Sequence, residues 1–297
     1  MTGFDWDDLR FFLSVARAGR LTVAARRLGA DHATVSRRIT SLEASLKAKL
    51  FERRPQGYQL TAHGERLLTK AEAIETEALA AQSEIGGADL RLSGTVRIGA
   101  PDGFGTYFLA PRIGRLAERY PELDIQLVAM PRIPSLSKRE ADIAVSLNPP
   151  REGKIVARKL ADYALGLFAA QAYLDHAPPL ERVEDLFAHK VIGYIDDLIY
   201  TPELDYLDEV AKGLRAHLQS SNIVAQLMAA QAGAGVCVLP RFMAARAGLV
   251  HVLPETVTLV RSFWLIVHAD LKDVARIRAS VEFLVRETRA ARAELLP

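Results

Sequence analysis

LTVAARRLGADHATVSRRIT, residues 21–40, carries two helical rhythms separated by a glycine, and it decides how the first fifth of the chain folds. Thr22 can cap a short helix, Val23 to Leu28, which Gly29 stops. Asp31 is a good cap for a second helix from about His32 to Leu46, in which Val35, Ile39, Leu42 and Leu46 form one apolar stripe. The opposite face carries His32, Thr34, Arg37, Arg38 and Ser41. Two short helices joined at a tight turn, the second polar and basic on its outer face, predict a helix-turn-helix.

Upstream, Trp6, Leu9, Phe12, Leu13 and Ala16 repeat at helical spacing until Gly19, which predicts a preceding helix. Downstream, KLFERRPQGYQLTAHG (49–64) offers Leu50-Phe51 and Tyr58–Leu60 as a hairpin around a Pro and a Gly, with Arg53 and Arg54 at its shoulder. That is the wing of a winged helix.

From Ala62 to Ile85 the chain has no proline, and Leu67, Ala71, Ile74, Ala78, Ala81 and Ile85 recur at alternating spacings of four and three. At roughly 1.5 Å per residue this is a helix about 36 Å long. The stripe is either a face packed on its own protein or a seam between two copies; the charged flanks Glu65, Lys70, Glu72, Glu75 and Glu77 favour the dimer seam. Gly86-Gly87 breaks the helix, and the stretch to Gly94 reads as a hinge.

Beyond Thr95, strands and helices alternate. VRIGA, DIQLVAM, ADIAVSL, ALGLFAA, HKVIGYI, VCVLP and SFWLIVHAD read as strands, with one more near Leu214–Gln219. LAPRIGRLAERYP, Gln171–Leu174, Ile223–Ala232 and Val274–Leu295 read as helices. Apolar strand runs between helices predict largely parallel sheets covered on both faces.

Composition agrees with a folded, soluble protein. Of 297 residues, 49% are hydrophobic and 25% charged. The net charge is +2, but the first 60 residues hold 11 Lys and Arg against 6 Asp and Glu, a local +5 that leaves −3 for the rest. The acidic start MTGFDWDDLR is unlike a signal peptide, and the most apolar stretch, Val224 to Pro240, is interrupted by Gln226 and Gln231. The one cysteine, Cys237, has no partner for an internal disulfide. These features predict a cytoplasmic protein with no membrane association.

The paired alanines Ala24-Ala25, the VSRRI…LE spacing, LFER, and LT-x-x-G together resemble the LysR-type transcriptional regulators. IGAP, ADIAV and GAGVCVLP further along are similar to that family's effector-domain strands. The resemblance covers essentially the whole chain and implies an α+β protein. It would comprise a winged helix-turn-helix at 1–61, a dimerising linker helix and hinge at 62–93, and an α/β effector domain at 94–297. That last domain would resemble type 2 periplasmic binding proteins, with subdomain I at about 94–162 and 265–297 and subdomain II at about 163–264. The resemblance also implies homotetramers on promoter DNA, a small-molecule effector between the subdomains, and RNA polymerase as a further partner.

A recognition helix presents its first turns to base edges in the major groove. Here those positions are His32, Ala33, Thr34, Ser36, Arg37 and Arg38. Arginine can bond guanine O6 and N7 bidentately, whereas a hydroxyl such as Ser36 more often holds a phosphate. The family commonly has Gln and Pro where this chain has His32 and Ala33, so a different operator preference is expected. Thr22 is placed near a phosphate. By resemblance Arg53 partly braces the fold, and Arg54 can reach the minor groove.

In the second domain, the segment APDGFGT joins a strand to a helix starting near Phe108, where the family often has a Ser or Thr that holds an inducer carboxylate. This chain has Asp102 instead, with Thr106 further in. Asp102 would repel a carboxylate; its other reading is a cap. Arg132, Ile133, Thr201, Ser221 and Asn222 complete the candidate effector contacts.

Catalytic readings find little. Ser135-x-x-Lys138 lacks its partner motifs. Cys237 lies among apolar residues, the seven histidines have no metal-ligand spacing, and Gly233-Ala-Gly235 precedes a strand instead of following one. No catalytic residue, metal or cofactor is expected. The alternative function is a winged helix for protein contacts fused to a solute-binding domain.

Overall fold

The computed structural model describes residues 4–55, 57–85, 92–131, 141–149 and 154–296. The chain divides between Gly87 and Ala88 into two compact units.

The first unit runs α1 (Asp7–Ala18), α2 (Leu21–Leu28), α3 (His32–Leu46), β1 (Phe51–Arg54), β2 (Gly57–Leu60) and α4 (Ala62–Ile85). Its core joins Phe12 and Val15 of α1, Ala24 of α2, Val35 and Leu42 of α3, and Leu50, all at most 1% exposed. Each large apolar side chain removed from water contributes about 1.5–3 kcal/mol. Trp6, expected on the buried face of α1, instead precedes the helix and is 66% exposed, and Phe11 takes a place in the core. Thr22 does not cap α2. The Ala24 N–H bonds Arg20 O at 3.1 Å, so the helix begins two residues earlier than expected, at Leu21, with Arg20 at its cap and Thr22 exposed in its first turn.

The sequence motifs of this unit have identifiable structural work. Asp31 caps α3 by accepting the Thr34 N–H at 2.6 Å. Glu43, nearly buried at the C-terminal end of α3, accepts the N–H groups of Leu50 and Phe51 at 2.8 and 3.3 Å and pairs with Lys49 at 2.6 Å. Thr61 donates to Lys49 O at 2.6 Å and accepts the Gly64 N–H at 3.1 Å, tying β1 to the start of α4. Gly64 is required there by close approach, since a Cβ would lie 2.2 Å from Leu50 O. β1 and β2 pair antiparallel with Phe51 opposite Leu60. At their turn Gly57 has φ +137°, and Tyr58 N–H bonds Gly19 O at 2.8 Å, which seats the wing on the end of α1.

The stripe along α4 is divided. Ala71 is 1% exposed and Leu67 is partly buried, both in the core of their own unit, while Ile74 is 37% exposed and Ala78 is also exposed. The side chains of Ala81 and Ile85 lie outside the described residues. The seam expected from Leu67 onward therefore begins in the unit's own core and turns outward only at Ile74.

The second unit is built on one nine-stranded sheet. Its elements are β3 (Gly94–Pro101), a π-helical turn (Phe104–Leu109), α5 (Ala110–Arg119), β4 (Leu123–Met130), β5 (Ile143–Ser146), β6 (Ile155–Ala169) and α6 (Gln171–Leu174). They continue with β7 (Val191–Tyr194), α7 (Leu207–Val210), β8 (Leu218–Ser220), α8 (Ile223–Gln231), β9 (Val236–Pro240), α9 (Arg241–Ala244), β10 (Val250–Val252), β11 (Leu259–His268), α10 (Ala275–Ala290) and α11 (Arg292–Leu295). The strand order is β4-β3-β5-β11-β6-β9-β7-β8, with β10 paired to β6.

The sheet corrects the expectation of largely parallel pairing. β4-β3-β5 and β9-β7-β8 are parallel groups, but the long strands β6 and β11 between them pair antiparallel with each other and with their neighbours. The final helix is also interrupted at Ala291. This topology fixes the site: residues at or just past the carboxyl ends of β3, β4, β5, β7 and β9 line one cavity, together with Ile223 shortly after β8. Open α/β sheets bind ligands at that place.

Candidate nucleic-acid interface and ligand cavity

On α3, His32, Ala33 and Arg37 are exposed, and Thr34 and Ser36 are partly so. The Thr34 hydroxyl is already engaged, donating to Asp31 at 3.0 Å. These two bonds from Thr34 hold the Asp31 carboxyl below its ordinary pKa. Arg37, exposed on the second turn of α3, adds a weaker electrostatic pull on the Asp31 carboxylate.

Arg38 differs from its neighbour. Its guanidinium bonds Asp5 at 2.7 Å and Asp8 at 3.0 Å and lies 5.5 Å from the Phe11 ring centroid. The Asp8 side chain is 1% exposed, so Arg38 neutralises an otherwise buried charge and joins α3 to α1. The hydrogen bonds that Arg38 donates to Asp5 and Asp8 raise its pKa further.

Ser36, Thr40, Lys49, Arg53 and Tyr58 line a groove between α3 and the wing. Arg53 sits 5.6 Å from the Tyr58 ring centroid and stays exposed, and Arg54 pairs with Glu52 at 3.0 Å on the surface. Thr40 and Lys49 were absent from the candidates read in the sequence. Their signal was the helical position of Thr40, one turn after Ser36, and the basic residue preceding Leu50-Phe51.

In the second unit, Asp102, Tyr163, Tyr194, Tyr206 and Phe263 are among the residues lining a cavity of about 510 Å³, mouth included. Small-molecule sites commonly span some 300–1,000 Å³ and are mainly apolar with a few polar groups. Tyr163 stacks on Phe263 at 4.1 Å between centroids, and Phe104 lies 4.5 Å from the same ring. Burial raises the Tyr163, Tyr194 and Tyr206 hydroxyls above their ordinary pKa, so they remain protonated donors.

Asp102 is 7% exposed, and its Oδ2 accepts the Ile223 N–H at the start of α8, 3.1 Å away. Burial raises its pKa, an effect partly offset by backbone N–H groups, chiefly those of Gly103 and Ile223. Asp102 therefore both lines the cavity and caps α8.

The other candidate contacts distribute unevenly. Asn222 caps α8, its Oδ1 accepting the Val224 and Ala225 N–H groups at 2.8 and 3.0 Å. Thr201 is buried behind the lining, accepting from Asn148 at 2.9 Å and donating to Glu203. Thr106 and Ser221 are exposed and outside the lining. Arg132 and Ile133 lie outside the described residues. The four tyrosines Tyr163, Tyr194, Tyr200 and Tyr206, and Glu203, line the cavity without having been candidates. They come from two strands, Tyr163 from β6 and Tyr194 from the end of β7, and from the segment between β7 and α7, which only the sheet topology brings together. Cys237 is fully buried, and burial pushes its thiol far above the range of a reactive thiolate.

Comparison with known proteins adds two family profiles and several relatives. Residues 6–65 match the bacterial regulatory helix-turn-helix protein, lysR family, and residues 90–289 match the LysR substrate binding domain. The chain is 29% identical over 276 residues to the Mau operon transcriptional activator of Paracoccus denitrificans, covering 91% of each chain. It is 28% identical over 293 residues to the HTH-type transcriptional activator TtdR of Escherichia coli K12, covering 93% of this chain and 91% of that one. Among solved structures, CrgA of Neisseria meningitidis, a LysR-type transcriptional regulator, aligns with a TM-score of 0.58 at 24% identity, covering 95% and 98% of the two chains.

Proposed function

The chain belongs to the LysR family of transcriptional regulators, and from that premise we propose how its residues divide the work of reading DNA and sensing a small molecule. α3 enters the major groove, and Arg37 is its principal base-reading residue, with His32, Ala33, Thr34 and Ser36 beside it. Arg38 contributes mainly by fixing α3 on α1. Thr22 and Arg53 meet phosphates and Arg54 reaches the adjacent minor groove, in keeping with their exposure. The observation that carries this reading is the contrast on α3 between Arg38, bonded to Asp5 and Asp8, and Arg37, exposed one residue earlier.

The aromatic cavity at the strand ends is the effector site, with Asp102 at its polar end. The exposed part of the α4 stripe, from Ile74 onward, pairs two copies, and pairs of dimers assemble on promoter DNA. The division at 1–61, 62–93 and 94–297 and the two subdomains of the effector domain belong to the same reading, as do action in the cytoplasm, contact with RNA polymerase and the absence of a catalytic step. No helix among the described residues is long and apolar enough to cross a membrane.

DNase I footprinting of the intergenic DNA beside the protein's own gene tests this function. A discrete protected tract, lost in Arg37→Ala, is expected. Uniform or absent protection across that DNA contradicts it.

A further inference from the structure

We propose that the cavity takes a compact aromatic or alicyclic amine, and that Asp102 is the residue that selects it over a carboxylate. The proposal rests on reading this cavity as the effector site and names the chemistry of its occupant.

Helix N-termini offer free N–H groups to anionic ligands. At α8 those donors are all engaged from within: Ile223 to Asp102 at 3.1 Å, Val224 and Ala225 to Asn222 Oδ1, and Gln226 to Asn222 O at 3.2 Å. A ligand carboxylate would have to displace the Asp102 carboxylate and then sit beside it, out of water.

Asp102 and Glu203 both line the cavity, and no Lys, Arg or His is among its described lining residues. Arg261 stands just outside the lining: its Nη2 is bonded to Glu209 at 2.5 Å and its Nε donates to Glu203 O at 3.5 Å, so part of its charge is already taken by Glu209. Two carboxylates in a confined, low-dielectric space focus a negative potential that attracts cations.

Tyr163, Tyr194, Tyr200, Tyr206, Phe104 and Phe263 supply the aromatic lining. Aromatic faces attract ammonium groups through their quadrupoles, and a flat apolar body fits between them. A buried carboxylate beside aromatic walls thus matches an ammonium head on an apolar frame.

Isothermal titration calorimetry of the full chain with three probes of one size tests this: phenethylamine, 2-phenylethanol and phenylacetate. The amine is expected to bind about tenfold or more tighter than phenylacetate, with the alcohol between them. Asp102→Asn keeps an acceptor for Ile223 and is expected to shrink that ratio about fivefold or more. Should that variant fail to fold by circular dichroism, Glu203→Gln is expected to shrink the ratio in the same direction.

Equal or tighter binding of phenylacetate overturns the proposal, as does a ratio unchanged in both variants, or no heat from any probe. DNA binding by the unliganded protein is scored separately. Its loss with an intact amine preference would remove the regulatory reading and leave the cavity chemistry standing; specific DNA binding with no amine preference would do the reverse.

Discussion

The Glu43 carboxylate, at the end of the recognition helix, accepts the backbone N–H of Leu50 at 2.8 Å, where the wing begins. Because the same carboxylate also takes Phe51 N–H and Lys49, the angle between helix and wing is set by one nearly buried side chain. Two-stranded pairing alone is marginal, so a recognition surface made of two elements needs such a brace between helix and wing, beside the Tyr58 N–H to Gly19 O bond that seats the wing on α1.

Removing that brace has a defined cost. Glu43→Ala leaves two backbone donors without their acceptor and is expected to destabilise the DNA-binding unit by about 2–3 kcal/mol, measured by chemical denaturation. Burial alone would raise the Glu43 pKa, but Lys49 and the Leu50 and Phe51 N–H groups outweigh it and hold the carboxyl below 4.5. A depressed carboxylate pKa contributes stability that is present above the unfolded value and lost as pH falls through the folded one. The advantage of the wild type over Glu43→Gln should therefore hold at neutral pH and shrink as pH drops below about 4.5.

Gly64→Ala is expected to lower the melting temperature. Its Cβ would lie 2.2 Å from Leu50 O and 2.8 Å from Leu60 Cδ2, so β1 or the first turn of α4 must move. Overpacking of this kind costs typically 1–3 kcal/mol, and differential scanning calorimetry reads it. An unchanged melting temperature would mean that the strand gives way freely.

Along α4, Ala71→Glu and Ile74→Glu should separate folding from assembly. Ala71 is 1% exposed in the core, so a carboxylate there is expected to unfold the unit, visible by circular dichroism. Ile74→Glu should keep the fold and weaken self-association about tenfold or more in sedimentation velocity at matched concentrations. Unchanged association in Ile74→Glu would place the dimer contact elsewhere.

Much of the DNA-binding unit was legible because its signals are local. The Val35, Ile39 and Leu42 stripe, the Asp31 cap and the Pro-Gln-Gly turn each declare themselves within a few residues. Thr22 misled because a good capping residue competes with its neighbours: the Ala24 N–H reaches Arg20 O, and the helix starts earlier. Arg37 and Arg38 look alike in sequence, and only the position of Asp5, just before α1, and of Asp8, in its first turn, separates them.

The second unit was less legible where its strands are held by pairing instead of burial. The first half of β6, Ile155 to Leu160, is largely exposed, and the pairing of Ile155–Lys159 with β11 gives it strand structure that hydropathy does not show. β10, three residues long, is below the reach of any periodicity. The tyrosines of the cavity span positions 163 to 206, from the middle of β6, the end of β7 and the segment before α7, and only the fold brings them to one cavity. Asp102 was recognised as unusual, but its partner Ile223 lies 121 residues away, and that pairing belongs to the fold.

The two arginines give the central claim its most direct measurement: fluorescence-anisotropy titration of duplexes tiled across the adjacent intergenic DNA, at two salt concentrations, with wild type, Arg37→Ala and Arg38→Ala. One tile is expected to be bound tightly at both salts. In Arg37→Ala that preference should fall about 5- to 150-fold, with stability unchanged. Arg38→Ala should lower stability by leaving Asp8 buried and unpaired. Equal, steeply salt-dependent binding to every tile, unaffected by Arg37→Ala, would reduce the interaction to phosphate contacts and contradict the account.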